Sequence, residues 1–301
     1  MSVLRSDAPA NIGLAGEQAD AIVAESIDAP TKRAKGERFP WSRVIGPILV
    51  FLGVVVFWHW MHTNGMRAIF DKPGFLVPAP ETVIHESFFD PIARTALLNG
   101  IKWTAFIALI GLVITILTGI VLAVFMAQTK VVENTVYPYL VTIQAIPILA
   151  IVPIIYSMFG GGEYPRVIVV IMISIFPIVT NTLFGLQSVD QGQHDLFTLR
   201  GANRWTRLWK LQFPAALPNI FTGFRISAGL AVIGAVVGEQ FFRAGNKPGI
   251  GIVIESYRQK GIYPQVWGGL ILAATLGIIV FLFFGWLSNA VVGHWYDPRR
   301  R

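Results

Sequence analysis

The 301-residue chain contains no cysteine, which excludes disulfides, thiolate metal sites and cysteine nucleophiles. Charge is also scarce. Only 14% of the residues are Asp, Glu, Lys or Arg, against about a quarter in an ordinary soluble domain. No Gly-x-x-x-x-Gly-Lys-Ser/Thr run is present, so the chain carries no P-loop phosphate cradle and no ATPase site of that kind. The five histidines are scattered and form no nucleophile–base or metal constellation at membrane depth, which leaves an intramembrane enzyme without support. His59 and His62 are spaced to share a helix face, but no carboxylate or third histidine adjoins them. Interfacial packing is therefore preferred to a metal site.

What the chain has is apolar surface: 54% of its residues are hydrophobic. The apolar runs recur at about 20 residues, the length a helix needs to cross the hydrocarbon core. An all-α, polytopic helical bundle follows, with six spans at about 44–61, 101–126, 136–159, 167–186, 220–241 and 266–292. The formal charge of +7 comes from Lys and Arg flanking these runs, with no single basic face interleaved with aromatics, so membrane topology explains it better than nucleic acid.

Residues 1–43 read as a disordered tail ending in the cluster Lys32, Arg33, Lys35, Arg38, and 293–301 as a basic tail with Arg299, Arg300 and Arg301. Six spans put both termini on one side, and the bias of basic residues makes that side cytoplasmic. Trp58 and Trp60 at the far end of the first span suit the headgroup region. Residues 64–99 form a polar connection, extended around Val77-Pro78-Ala79-Pro80, with a short surface helix over Glu81–Phe89.

The third span carries Pro138, Pro147 and Pro153, so it packs inside the bundle or lines a path where freed carbonyls find partners. Gly160-Gly161-Gly162-Glu163 makes a tight turn, and Gly111 and Gly119 permit close helix approach. Polar groups within spans mark a candidate transport path: Gln144, Thr180, Asn181 and Glu239. Amides and hydroxyls also glue helices together, and Glu239 lies near a span end where water or Arg243, four residues on, could satisfy it.

Residues 187–218 form an excursion longer than a usual helix connection, and so a structured element. Asp195 to Arg200 read as a short helix stopped by Gly201, with Asn203 capping a second helix that Pro214 ends. In that second helix Trp205, Leu208 and Trp209 share one face, and Arg204 and Arg207 the other. Amphipathicity leaves two readings open: a helix lying at the headgroups, or one docking into a partner's groove.

These residues resemble the cytoplasmic loop of ABC-importer permeases, which carries Glu-Ala-Ala, three residues, Gly, nine residues, then Ile-x-Leu-Pro. Asp195-Leu196-Phe197 stands at the Glu-Ala-Ala positions, Gly201 at the glycine and Leu211-Gln212-Phe213-Pro214 at the terminal element. The resemblance runs from about Val77 onward and is to the nitrate/sulfonate/taurine branch. Its other segments are Val77-Pro78-Ala79-Pro80, Gln144-Ala145-Ile146-Pro147, Phe159-Gly160-Gly161-Gly162-Glu163, Pro177-Ile178, Val237-Gly238-Glu239 and Gly249-Ile250-Gly251.

The resemblance implies a permease in the cell membrane that pairs with a second copy, two ATP-binding subunits and an external solute-binding protein. ATP and Mg would sit on the ATPase subunits, with no cofactor on this chain. Asp195, Leu196, Phe197, Arg200, Gly201, Ala202 and Pro214 would couple it to the ATPase. The solute would be a nitrate-, sulfonate-, taurine- or bicarbonate-like anion. The alternatives are a vitamin or pyrimidine precursor, or an ATP-independent secondary transporter or channel. The last needs ionisable groups within spans, where the sequence offers few beyond the end-located Lys102, Arg225 and Glu239.

Overall fold

The computed structural model describes residues 42–243 and 247–293, and among these every regular element is helical. They fall in two units, one ending at Val54 and one beginning at Val55. The expected tails lie outside the described residues, except that Ser42 and Arg43 already belong to the first helix and Gly293 caps the last.

With no water to bond the backbone, an apolar run in lipid must satisfy its own N–H and C=O groups, and the helix does so. Helix α1 is Ser42–Trp60, continued through a π turn, Met61–Gly65, into α2, Met66–Phe70. A short α3, Pro80–Ile84, with a π turn, His85–Phe89, forms where a surface helix is expected. Then follow α4, Pro91–Gln128; α5, Lys130–Ala145; α6, Ile148–Phe159; and α7, Glu163–Gln187. The polar excursion holds α8, Gln191–Leu199, and α9, Arg204–Arg207. The chain closes with α10, Phe213–Phe241; α11, Ile250–Gln259; and α12, Tyr263–Val292. Among the described residues five stretches are long and apolar enough to cross a membrane, and six if α5 with α6 counts as one span.

Three expectations are revised. The third span is not one helix: α5 and α6 meet at 97°. Of its three prolines only Pro147 breaks the helix. It forces Ile146 into an extended conformation (ψ 123°), whereas Pro138 and Pro153 sit within helices. Pro214 does not end the second loop helix. A π turn at Leu208–Gln212 widens the backbone just before it, where the proline ring would meet the preceding turn, and the helix runs on from Arg204 to Phe241. The polar connection after the first span is shorter than 64–99, because helix persists to Phe70 and restarts at Pro91, with Asp90 accepting from the Ile92 N–H.

The core is built on close approach. Ile107, Ala108 and Leu112 of α4 meet Val170 and Ile178 of α7, and Ala228, Ala231, Val232 and Ala235 of α10. A Cβ at Gly111 would run into Val170, and one at Gly119 would come within 2.7 Å of Ile178. On the other side of α7, a Cβ at Gly234 would sit 2.9 Å from the Val170 Cα. In a bilayer, where apolar burial between helices gains little, such small residues and buried hydroxyls do the holding. Ser174 of α7 shows the second device: it meets Thr115 at 3.1 Å, and its carbonyl accepts from Ser227 at 2.7 Å.

Trp58, expected at the headgroups, has protein partners for both its ring and its N–H. It stacks on Trp267 at 5.0 Å and donates to the Pro78 carbonyl, while Trp267 donates to that of Leu76. His62 contacts the Val77 carbonyl at 2.7 Å and His59 lies 3.9 Å from Glu81. No group of three metal-ligating side chains occurs among the described residues.

Candidate functional site

The 187–218 loop is built as two helices joined by a sharp corner. Asp190 caps α8 by accepting from the Gly192 N–H, and Asp195 accepts from Gln191 at 3.1 Å within the same helix. Gly201 stops α8 in the left-handed region, at φ 67°, and the Ala202 N–H returns to the Phe197 carbonyl at 3.0 Å. Asn203 then caps α9 through the Thr206 N–H at 2.7 Å. Arg207 ties the two helices together by donating to Thr198 at 3.2 Å.

This corner is anchored at one point and open elsewhere. Leu208 is buried with Leu186, Ala216 and Ile220, and Gln212 donates to the Leu186 carbonyl. Helix α8, by contrast, has no buried residue. Leu196 is 52% exposed and Leu199 86%, beside exposed Asp195 and Arg200. Phe197, Ala202 and Pro214 are half-buried. Trp205 and Trp209, expected to share a face with Leu208, are 65% and 60% exposed whereas Leu208 is buried. The arrangement is a corner, tied by hydrogen bonds, that carries exposed apolar side chains with a polar rim.

The four candidate path residues are not brought to one place; among the described residues no hydrogen bond joins any two of them. Gln144 is exposed and lines a cavity of about 420 Å³ with Ile146, Pro147, Met172, Ile173 and Leu230, at the α5–α6 break. Thr180 and Asn181 are half-buried and bond carbonyls of their own helix, those of Phe176 and Pro177. Glu239 is fully buried.

Arg243 is not what holds Glu239. Thr104 of α4 lies 2.8 and 2.9 Å from its two oxygens, and the Gly251 N–H donates to Oε2 at 2.8 Å. The Thr104 hydroxyl in turn accepts from the Ile250 N–H at 2.8 Å. Arg243 pairs instead with Glu255, 3.4 Å away. Glu239 thus pins the start of α11 to α4 and α10. Arg166 pins the preceding turn, donating twice to the Phe242 carbonyl and once to that of Lys247.

Sequence reading missed α11 and Thr104, although the signal was present in part. Val237-Gly238-Glu239 and Gly249-Ile250-Gly251 stand out as separate segments, and they meet here. A Cβ at Gly249 would occupy the place of the Glu239 carboxylate, and one at Gly251 would lie 2.6 Å from the Val236 carbonyl.

Comparison with known proteins adds to this geometry. The family described as "Binding-protein-dependent transport system inner membrane component" matches residues 115–294. The formylaminopyrimidine transport permease protein ThiX of Halalkalibacterium halodurans is 31% identical over 250 residues, 83% of this chain and 96% of the relative. The nitrate import permease protein NrtB of Synechocystis sp. is 25% identical over 268 residues, 87% of this chain and 95% of the relative. A crystal structure of an amino acid ABC transporter with histidines superimposes with a TM-score of 0.51 at 18% identity, over 68% of this chain and 96% of the other.

Proposed function

The chain belongs to the binding-protein-dependent transport system inner membrane component family, and so is a multi-pass permease subunit of an ABC importer in the cell membrane rather than an enzyme. From that premise we propose that α8 is its ATPase-docking element and that it moves a small anion. The observation carrying the first part is the 187–218 corner: an apolar knob, Leu196 and Leu199, held rigid by Gly201, Asn203 and the Arg207–Thr198 bond, with its neighbour Leu208 rooted in the bundle. A rigid knob transmits the motion of a partner; a flexible loop would absorb it.

In this reading Asp195, Leu196, Phe197, Arg200, Gly201, Ala202 and Pro214 form the coupling element. Two permease copies, two ATP-binding subunits and an external binding protein complete the importer, with ATP and Mg on the ATPase subunits. The loop and both termini face the cytoplasm. Gln144 lines the path in the cavity at the α5–α6 break, while Thr180, Asn181 and Glu239, also expected on the path, act away from that cavity by holding the helices around it. The solute is a nitrate-, sulfonate-, taurine- or bicarbonate-like anion.

A second solute class, a pyrimidine precursor or vitamin, is favoured by the 31% identity to a permease named for formylaminopyrimidine. Affinity purification of the tagged permease tests the main reading. An ATPase subunit should co-purify, and uptake into proteoliposomes of the assembled importer should stop when ATP hydrolysis is blocked. Uptake that persists without hydrolysis, by a permease that retains no ATPase, contradicts it.

A further inference from the structure

Arg225, near the loop-side end of its expected span, lies in α10 sixteen residues (241 − 225) and about 24 Å of helix before Phe241, with its side chain exposed on the helix surface. A guanidinium within a span is costly unless it meets water, a partner or an anion. Its Cζ sits 3.9 Å from the centroid of the Phe281 ring on α12, which accounts for one face of the group. Among the described residues no carboxylate pairs with it and no hydrogen bond reaches its nitrogens, so the edge of the fork is open.

That edge borders a cavity of about 350 Å³ whose polar lining is Thr222 and Arg225 from α10, and Ser288 and Asn289 from α12. Gly285 adjoins the fork: a Cβ there would be in ordinary van der Waals contact with the guanidinium, at 3.5 Å. The lining holds hydroxyls, an amide and one cation, and no acidic residue. Helix α12 runs antiparallel to α10, so the cavity lies in the half of the bundle nearest the 187–218 loop.

The exposed face of α10 also leads from Arg225 toward the path. Leu230 borders both the Gln144 cavity and an apolar groove that runs past Gly229, Ile226 and Phe281. Arg225, stacked on Phe281, stands where that groove ends.

We propose that Arg225, with Thr222, Ser288 and Asn289, is a binding site for a small oxyanion on the loop-side half of the permeation path. The inference rests on the anion reading above and deepens it. A planar guanidinium presents paired N–H groups at the spacing of two oxygens of a nitrate, sulfonate or bicarbonate, and hydroxyls and an amide can donate to the remaining oxygen. A neutral heterocycle has no use for the charge.

The absence of native cysteine makes a direct test available. In the assembled importer in nanodiscs, Ser288→Cys is labelled with an anionic (ethylsulfonate) and a cationic (ethyltrimethylammonium) methanethiosulfonate, with and without nitrate or methanesulfonate as free probes. The ratio of anionic to cationic rates should be at least about tenfold higher with Arg225 than with Arg225→Gln, given one charge a few ångströms away. Nitrate or methanesulfonate should slow labelling only when Arg225 is present.

No labelling by either reagent, or a ratio that Arg225→Gln leaves unchanged, overturns the proposal. So does labelling that responds to the phosphatidylglycerol content of the disc but not to the free anions, which would assign the guanidinium to lipid phosphate. If Arg225→Gln does not assemble, protection of the Ser288→Cys parent by the free anions decides alone. Labelling needs no ATP, so unselective labelling with intact ATP-driven uptake sinks this inference and leaves the permease reading standing.

Discussion

Gly201 shows how much one residue can reveal. Its φ of 67° is a conformation that proline cannot adopt, its ring fixing φ near −65°, and the corner it makes sets the angle between α8 and α9. Gly201→Pro should insert and accumulate normally yet abolish solute uptake, as checked by membrane quantification beside a transport assay. The position was legible because a stop signal stands at a fixed distance from a terminal proline.

Glu239 is the opposite case: Thr104, its main side-chain partner, lies 135 residues away, and no local pattern announces such a bond. Thr104→Val would leave the Ile250 N–H and the Glu239 carboxylate each short of a buried partner, at about 1–3 kcal/mol. The expected result is a lowered thermal unfolding temperature of the detergent-solubilised permease, and an unchanged one would contradict the role given to this cluster.

Glu255, on the outer face of α11, is held down to about 2, first by hydrogen bonds from Arg258, then from Gln259, with Arg243 adding its charge. A lowered carboxylate contributes above its ordinary value of 4.5 and loses that contribution only as pH falls toward about 2. Glu255→Gln should therefore leave the shape of the uptake profile between about pH 5 and 8 unchanged.

Among the elements, α7 is the one the bundle grips, with Gly111 and Gly119 of α4 on one side and Gly223 and Gly234 of α10 on the other. Gly111→Val should cost about 1–3 kcal/mol by forcing α4 from Val170, whereas Gly277→Ala, with no atom within 4 Å of its added Cβ, should be neutral. Paired melting curves of the two variants distinguish these outcomes.

The helices themselves were legible from the apolar runs, and Gly111 and Gly119 were readable as approach points. Their ends were not. Proline reads alike in a break and in a continued helix: Pro147 gives a 97° bend, while Pro214 is carried by a π turn and Pro138 by an intact helix. What separates them is whether neighbouring backbone can take up the lost bond, and that depends on packing. Helix α11 escaped notice because it is short and amphipathic between two long spans, with a start set by Glu239 and Thr104 and no side-chain cap of its own.

At the scale of the whole molecule, the bundle separates a buried clamp at the α10–α11 end from an exposed knob at the other. In the proposed reading the knob is the end that the ATPase pushes and the clamp is the end that is held. The central claim is that α8 carries the push, and it is tested most directly by Leu196→Asp in the complete importer reconstituted into proteoliposomes. Solute moved per ATP hydrolysed should collapse relative to wild type while the permease inserts normally. Uptake equal to wild type, with the same coupling to ATP, would contradict the account.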